Sequence, residues 1–207
     1  MRFVFTTYRR LRHAASELRS DARGLAATEF AMIVPLMLVM FLGTVEVSTG
    51  VAIDRKVTLV ARTLSDLTSQ SKAVGDTDIA NFFAASYGIM WPYPSAPVRA
   101  TISELYIDPA TSVARVQWSK GTAPRDPGTP VDIPSGLIGK DSSEKTLPGQ
   151  YLIFSEVSYL YQPGIGYVVS KAGVTLSDTT YTRPRQSTCV IYPTPAAGTP
   201  FPSCPTN

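Results

Sequence analysis

From Phe30 to Val45 the chain reads FAMIVPLMLVMFLGTV, sixteen consecutive residues without a charge. A helix in the core of a small soluble domain keeps one side polar for water, and this stretch has no polar side to keep. Glu46 follows, then VSTGVAI up to Asp54. Phe30 to Ile53 is 24 residues, which as α-helix is about 36 Å at 1.5 Å per residue, enough to cross a hydrocarbon layer of about 30 Å. The segment is read as a single transmembrane helix over about residues 30–53, with the lipid bilayer as its first partner.

Charge gives the orientation. Arg2, Arg9, Arg10, Arg12, Arg19 and Arg23 precede the apolar run, with only Glu17 and Asp21 against them, so the leader carries +4 of a chain total of +3. Only Arg55 and Lys56 follow the run closely. An arginine excess on one flank holds that flank in the cytoplasm. The expected topology has residues 1–24 cytoplasmic and residues 70–207 on the far side of the membrane. A cleaved secretory signal fits less well, because its apolar region is normally about 7–15 residues and the helical pattern here continues further. The Arg9-Arg10 pair stands about twenty residues before the apolar segment, too far for a twin-arginine signal.

The remaining 183 residues hold 13 Lys and Arg against 14 Asp and Glu, a net of −1, and this excludes a nucleic-acid-binding surface of the usual basic kind. The single histidine, His13, lies in the leader. The body therefore has no imidazole for proton transfer or metal binding. It also lacks G-x-S-x-G, H-E-x-x-H and phosphate-loop patterns, so we expect a non-enzymatic protein with no cofactor and no metal. A serine with Lys171, or the acids Glu104 and Glu156, are the formal exceptions.

Past the membrane, Ile53, Val57, Val60, Leu64 and Leu67 recur at steps of four and three, so the helix is expected to continue to Ser69 with an apolar stripe for its own domain. A short helix over Asp76–Met90 follows, capped by Asp76 or Thr77, with Ile79, Phe82, Phe83 and Tyr87 on one face and Trp91-Pro-Tyr-Pro ending it. Alternation over Val98–Ile107 and Ser112–Trp118, around Asp108-Pro-Ala-Thr, predicts a hairpin. Val113, Arg115 and Val116 are its candidate inward positions, and the register stays open. Residues 120–150 are rich in Pro and Gly and read as a long loop. Tyr151–Tyr161 and Gly173–Arg183 read as strands, with an apolar Gly164-Ile-Gly-Tyr-Val-Val segment between them. The fold class is α+β: a long transmembrane helix running into a small extracytoplasmic domain with an antiparallel sheet of about four strands.

Cys189 and Cys204 both fall in a tail rich in Pro, Thr and Ser that offers little apolar surface. In an oxidising compartment a disulfide between them would tether that tail, and their spacing fits no zinc or Cys-X-X-Cys pattern.

GLAATEF, Gly24–Phe30, places one carboxylate at the lip of the apolar helix. An ionised carboxylate in a membrane costs several kcal/mol unless it sits at the interface or is partnered. Cleavage after Gly24 would supply a partner, since Leu25 would gain an α-ammonium that Glu29 of a neighbouring subunit could meet. Gly24, Ala26, Ala27, Glu29, Phe30, Ala31 and Pro35 together resemble the signature of the TadE/TadG family, over about residues 23–64. The Gly24-to-Glu29 spacing is also similar to the processing site of tight-adherence pilins. YLIFSEVSYLYQP (Tyr151–Pro163) and YTRPR (Tyr181–Arg185) resemble later parts of TadE-like proteins, and the lack of a long extension with a D-x-S-x-S motif favours the TadE side. The resemblance implies a pseudopilin or membrane-anchored assembly factor of a tight-adherence pilus, in the bacterial inner membrane or built into the fibre. Its partners would be pilins, pilus machinery and a prepilin peptidase. The alternative is a membrane-tethered binding module unrelated to pili, for which Tyr87, Trp91 and Tyr93 would form an aromatic surface.

Overall fold

The computed structural model describes residues 23–164, 173–196 and 202–205. Residues 1–22 of the leader and residues 165–172, which hold most of the apolar segment and Lys171, lie outside the described residues. The chain forms two compact units, residues 1–47 and 48–207. Helix α1, Arg23–Ser69, contributes to both.

In the second unit α1 packs on a five-stranded antiparallel sheet of order β3-β2-β1-β4-β5: β1 Val98–Ile107, β2 Ala114–Gly121, β3 Pro130–Val131, β4 Gln150–Tyr161 and β5 Val174–Thr182. Ile53, Val57, Val60, Ala61 and Leu64 are buried against Ala100, Ile102, Trp118, Ile153 and Val157. The expected stripe is present except at its end, where Leu67 is half-buried and Thr68 and Ser69 are buried instead. Two buried hydroxyls fasten helix to sheet: Ser155 Oγ donates to the Ala61 carbonyl at 2.6 Å, and Ser65 Oγ donates to Thr182 Oγ1 at 2.9 Å.

The opposite face of the sheet buries Leu105, Ile107, Val116, Leu152 and Phe154 under Val131, Ile133, Leu137 and Ile138. Strand β1 is thus covered on both faces along most of its length, which is why its sequence lacks a clean polar alternation. The covering residues come from the Pro/Gly-rich stretch expected to be loop throughout. That expectation is corrected here: β2 runs to Gly121, and Pro130–Val131 adds an edge strand on Arg115 and Ala114. Proline is tolerated there because the first residue of an edge strand can do without a ladder N–H.

The hairpin pairs Ile107 with Ala114 and Glu104 with Trp118, then skips from Trp118 to Val116 opposite Leu105, leaving Gln117 as a bulge. Ala114, Val116 and Trp118 are the buried positions, while Val113 and Arg115 are only half-buried. At the end of β2, Gly121 has φ +138, and a Cβ there would lie 2.2 Å from the Ala100 carbonyl oxygen, so only glycine fits. Helix α2, Asp76–Gly88, is capped by Gly75 rather than Asp76 or Thr77, with the Gly75 N–H donating to the Asp78 carboxylate at 2.9 Å. Ile79 is buried, and Phe82, Phe83 and Tyr87 pack half-buried on the helix–sheet core.

Candidate membrane and assembly site

The first unit is described over the N-terminal part of α1. Leu25, Phe30, Met32, Leu36, Met37, Val39, Met40 and Phe41 are all more than half exposed, so an apolar cylinder stands without protein cover. In water such a surface is costly, while in hydrocarbon it is neutral. Its two threonines return their hydroxyls to the helix, Thr28 to the Leu25 carbonyl and Thr44 to the Met40 carbonyl, each at 2.8 Å. A polar side chain that bonds to its own backbone needs no water. Among the described residues this is the one helix long and apolar enough to cross a membrane.

Gly24 lies in the first turn of α1 with no atom within 4 Å of where a Cβ would stand. Glu29 and Phe30 are exposed a turn further on. Pro35 is inside the helix, where the Ala31 carbonyl has no N–H donor from residue 35.

In the second unit the chemistry gathers where α1 ends. Arg185 closes the helix, its N–H donating to the Ser69 carbonyl at 2.9 Å and its guanidinium pairing with Asp66. Arg183 donates to the Leu137 carbonyl at 3.0 Å. The following segment threads past the end of α1, the Ile191 N–H donating to the Lys72 carbonyl at 3.1 Å and the Val74 N–H to the Ile191 carbonyl at 2.9 Å. Beneath it Glu104, buried in the sheet, accepts from the Val190 N–H at 2.5 Å and from Trp118 Nε1 at 3.0 Å. Burial pushes its carboxyl up to about 8, against the two donors, which favour the charged form. Cys189 is buried beside Tyr106 and Tyr151 and is disulfide-bonded to Cys204, and Tyr151 donates its hydroxyl to the Pro205 carbonyl. Desolvation, then the neighbouring Tyr106 and Glu104, push the Tyr151 phenol up to about 12.

The family model described as TadE-like protein matches residues 24–64, the exposed helix together with the turns that pack on the sheet. Over that stretch the chain is similar to the TadE-like family. No curated protein and no solved structure matches it. The TadE-like segment thus contains Gly24, Leu25, Glu29, Phe30 and Pro35, and lies apart in sequence from the Arg185, Cys189 and Glu104 cluster.

The structure separates the two acids considered as a pair. Glu104 lies opposite Ile153 on the face of the sheet that meets α1, whereas Glu156, three residues beyond Ile153, faces the other way. There Glu156 pairs with Arg125, whose guanidinium also lies 5.4 Å from the Phe154 ring centre. Arg99, Thr101, Arg125, Ser158 and Thr179 border an open hollow of about 550 Å³ around that pair. The aromatic trio is divided as well: Tyr87 and Tyr93 are half-buried on the core, and Trp91 is exposed. The clamp on the C-terminal segment had no sequence signal beyond YTRPR and the two cysteines, because Glu104 and Val190 are brought together only by the fold.

Proposed function

We propose that this protein is a non-enzymatic, membrane-anchored component of a tight-adherence pilus, acting as a minor pseudopilin or assembly factor. The observation that carries the reading is the coincidence of the TadE-like match at residues 24–64 with a helix whose first half has no protein cover. The leader stays in the cytoplasm by its arginine excess, and the α+β domain stands in the periplasm, where the Cys189–Cys204 disulfide is chemically at home. A prepilin peptidase cuts between Gly24 and Leu25. The new Leu25 ammonium of one subunit then meets Glu29 of another, so that neither charge faces lipid alone. Phe30 and Pro35 belong to the surface that neighbouring helices cover.

Processing and pairing are tested apart. The mass of the membrane-extracted protein is expected to lack residues 1–24 when the matching peptidase is present, and replacing Gly24 with a bulky residue is expected to leave the leader attached. Glu29→Gln is expected to insert and be processed normally but to give fewer fibres. Full-length mass in the presence of the peptidase would rule out cleavage, and normal fibres from Glu29→Gln would rule out the charge pair. Deleting the gene tests the wider reading, since wild-type fibre number and adhesion in its absence would remove the protein from pilus assembly.

A further inference from the structure

Trp91 is 80% exposed, the highest value among the described large apolar side chains of the second unit. Its backbone is not free: Lys56, on α1, donates to the Ile89 carbonyl at 2.8 Å and to the Trp91 carbonyl at 2.9 Å. Met90 beside it is fully buried and Tyr93 is packed on the core. A solvent-exposed tryptophan on a pinned loop, between one anchored residue and another, is a side chain held out toward something.

Chain connectivity indicates what. Counted from Phe30, about 20 residues of helix fill the hydrocarbon layer, which ends near Thr49 or Gly50. Lys56 is only six residues beyond Gly50, about 9 Å along the axis, and helix side chains lean back toward the N-terminus. The polar layer adds about 5–7 Å to each side of the hydrocarbon. The carbonyls that Lys56 holds therefore lie at the level of that layer. The far ends of β4 and β5 reach the same level, since Gly50 neighbours the Tyr161 ring and Tyr161 pairs with Val174. Leu160 and Val174 are there 46% and 53% exposed. Tryptophan and tyrosine at headgroup depth, with lysine beside them, is the composition that a membrane interface favours.

We infer that Trp91, with Leu160 and Val174, seats this end of the domain in the interfacial layer of the bilayer that α1 crosses. The occupant of this surface is lipid. The inference rests on the membrane reading of α1, so the test reports the two separately. The full chain is reconstituted in phosphatidylcholine–phosphatidylglycerol vesicles, and retention after alkaline extraction reports the span. Tryptophan emission is then compared in vesicles with and without bromine on the upper acyl chain, for the parent and Trp91→Phe. Trp118 is 6% exposed and serves as the internal emitter that lipid does not reach. The component removed by Trp91→Phe is expected to be blue-shifted and to lose most of its intensity to the bromines. Retention in the vesicles with that component unquenched by bromine would overturn the inference, whether iodide quenches it, placing Trp91 in water, or does not, placing it under another protein chain. Release on alkaline extraction would overturn the span itself.

Discussion

Glu104 makes this domain sensitive to pH in a direction opposite to most. Its carboxyl rises from an ordinary 4.5 to about 8 because it is buried beneath the Val190 segment. The folded state then keeps a proton that the unfolded chain has released, so stability is complete below about pH 4.5 and is lost as pH rises to about 8. The difference corresponds to about 5 kcal/mol at 1.4 kcal/mol per pH unit. Asp76 and Asp108 are held below the ordinary carboxylate range, Asp76 first by the Tyr192 hydroxyl and then by Lys120, Asp108 first by the Thr111 hydroxyl and then by the Ala110 N–H. Their contributions therefore change only in stronger acid. Tyr151, pushed up to about 12, changes only in stronger base. Thermal unfolding of the full chain in detergent, followed by Trp118 emission, is the assay. Between pH 5 and 8 the midpoint is expected to fall by roughly 3–6 °C per pH unit, the usual conversion for a domain of this size. Glu104→Gln removes the titration and is expected to flatten that slope. It also lowers the midpoint at pH 5, because an amide N–H then faces one of the two donors. Parallel slopes for parent and Glu104→Gln would refute the reasoning.

Replacing Cys189 and Cys204 together with serine opens a loop whose ends are 15 residues apart and is expected to cost about 3 kcal/mol in denaturant unfolding. Labelling of both thiols in the unreduced parent would contradict the bond. Arg185→Ala removes a half-exposed ion pair to Asp66 but keeps the N–H that closes α1, so a loss of about 0.5 kcal/mol is expected by the same denaturant measurement. A reporter active only outside the cytoplasm, fused after Gln70, is expected to be active, and an inactive fusion of normal abundance would reverse the topology.

The parts legible in the sequence were those whose physics is local. The apolar run, the Ile53–Leu64 stripe and the β1 and β4 strands each announce themselves by length or period, and the structure has them where that pattern puts them. Strand β3 is two residues long and has no period to read. Leu67 was expected in the stripe and is half-buried, because at the end of α1 the packing surface is no longer the sheet but the returning Arg185–Ile191 segment, which takes the carbonyls of Ser69 and Lys72. Glu104 read only as one of a formal pair of acids with Glu156. Its meaning depends on Val190, 86 residues away, and no local pattern carries a contact of that range.

One helix thus answers to two solvents, and the change between them is abrupt. Val47 and Val51 are 68% and 48% exposed, whereas Ile53 is 2% exposed and Val57 fully buried. Through Phe30–Val45 apolar residues occupy every side of the helix, as lipid requires, and after Ile53 the buried apolar residues lie on one side, with Asp54, Arg55, Leu59 and Arg62 exposed on the others. The two halves can accordingly be perturbed apart. Shortening Val57 or Leu64 opens a cavity against the sheet and weakens the domain, at a cost of about 1–5 kcal/mol depending on the residue removed, without altering the hydropathy that inserts the chain. Substitutions at Phe30, Leu36 or Phe41 leave that core untouched and act on whatever covers the bare helix, whether lipid or a neighbouring subunit. A function that needs an intact domain and a function that needs helix–helix assembly would therefore fail under different substitutions within the same TadE-like segment.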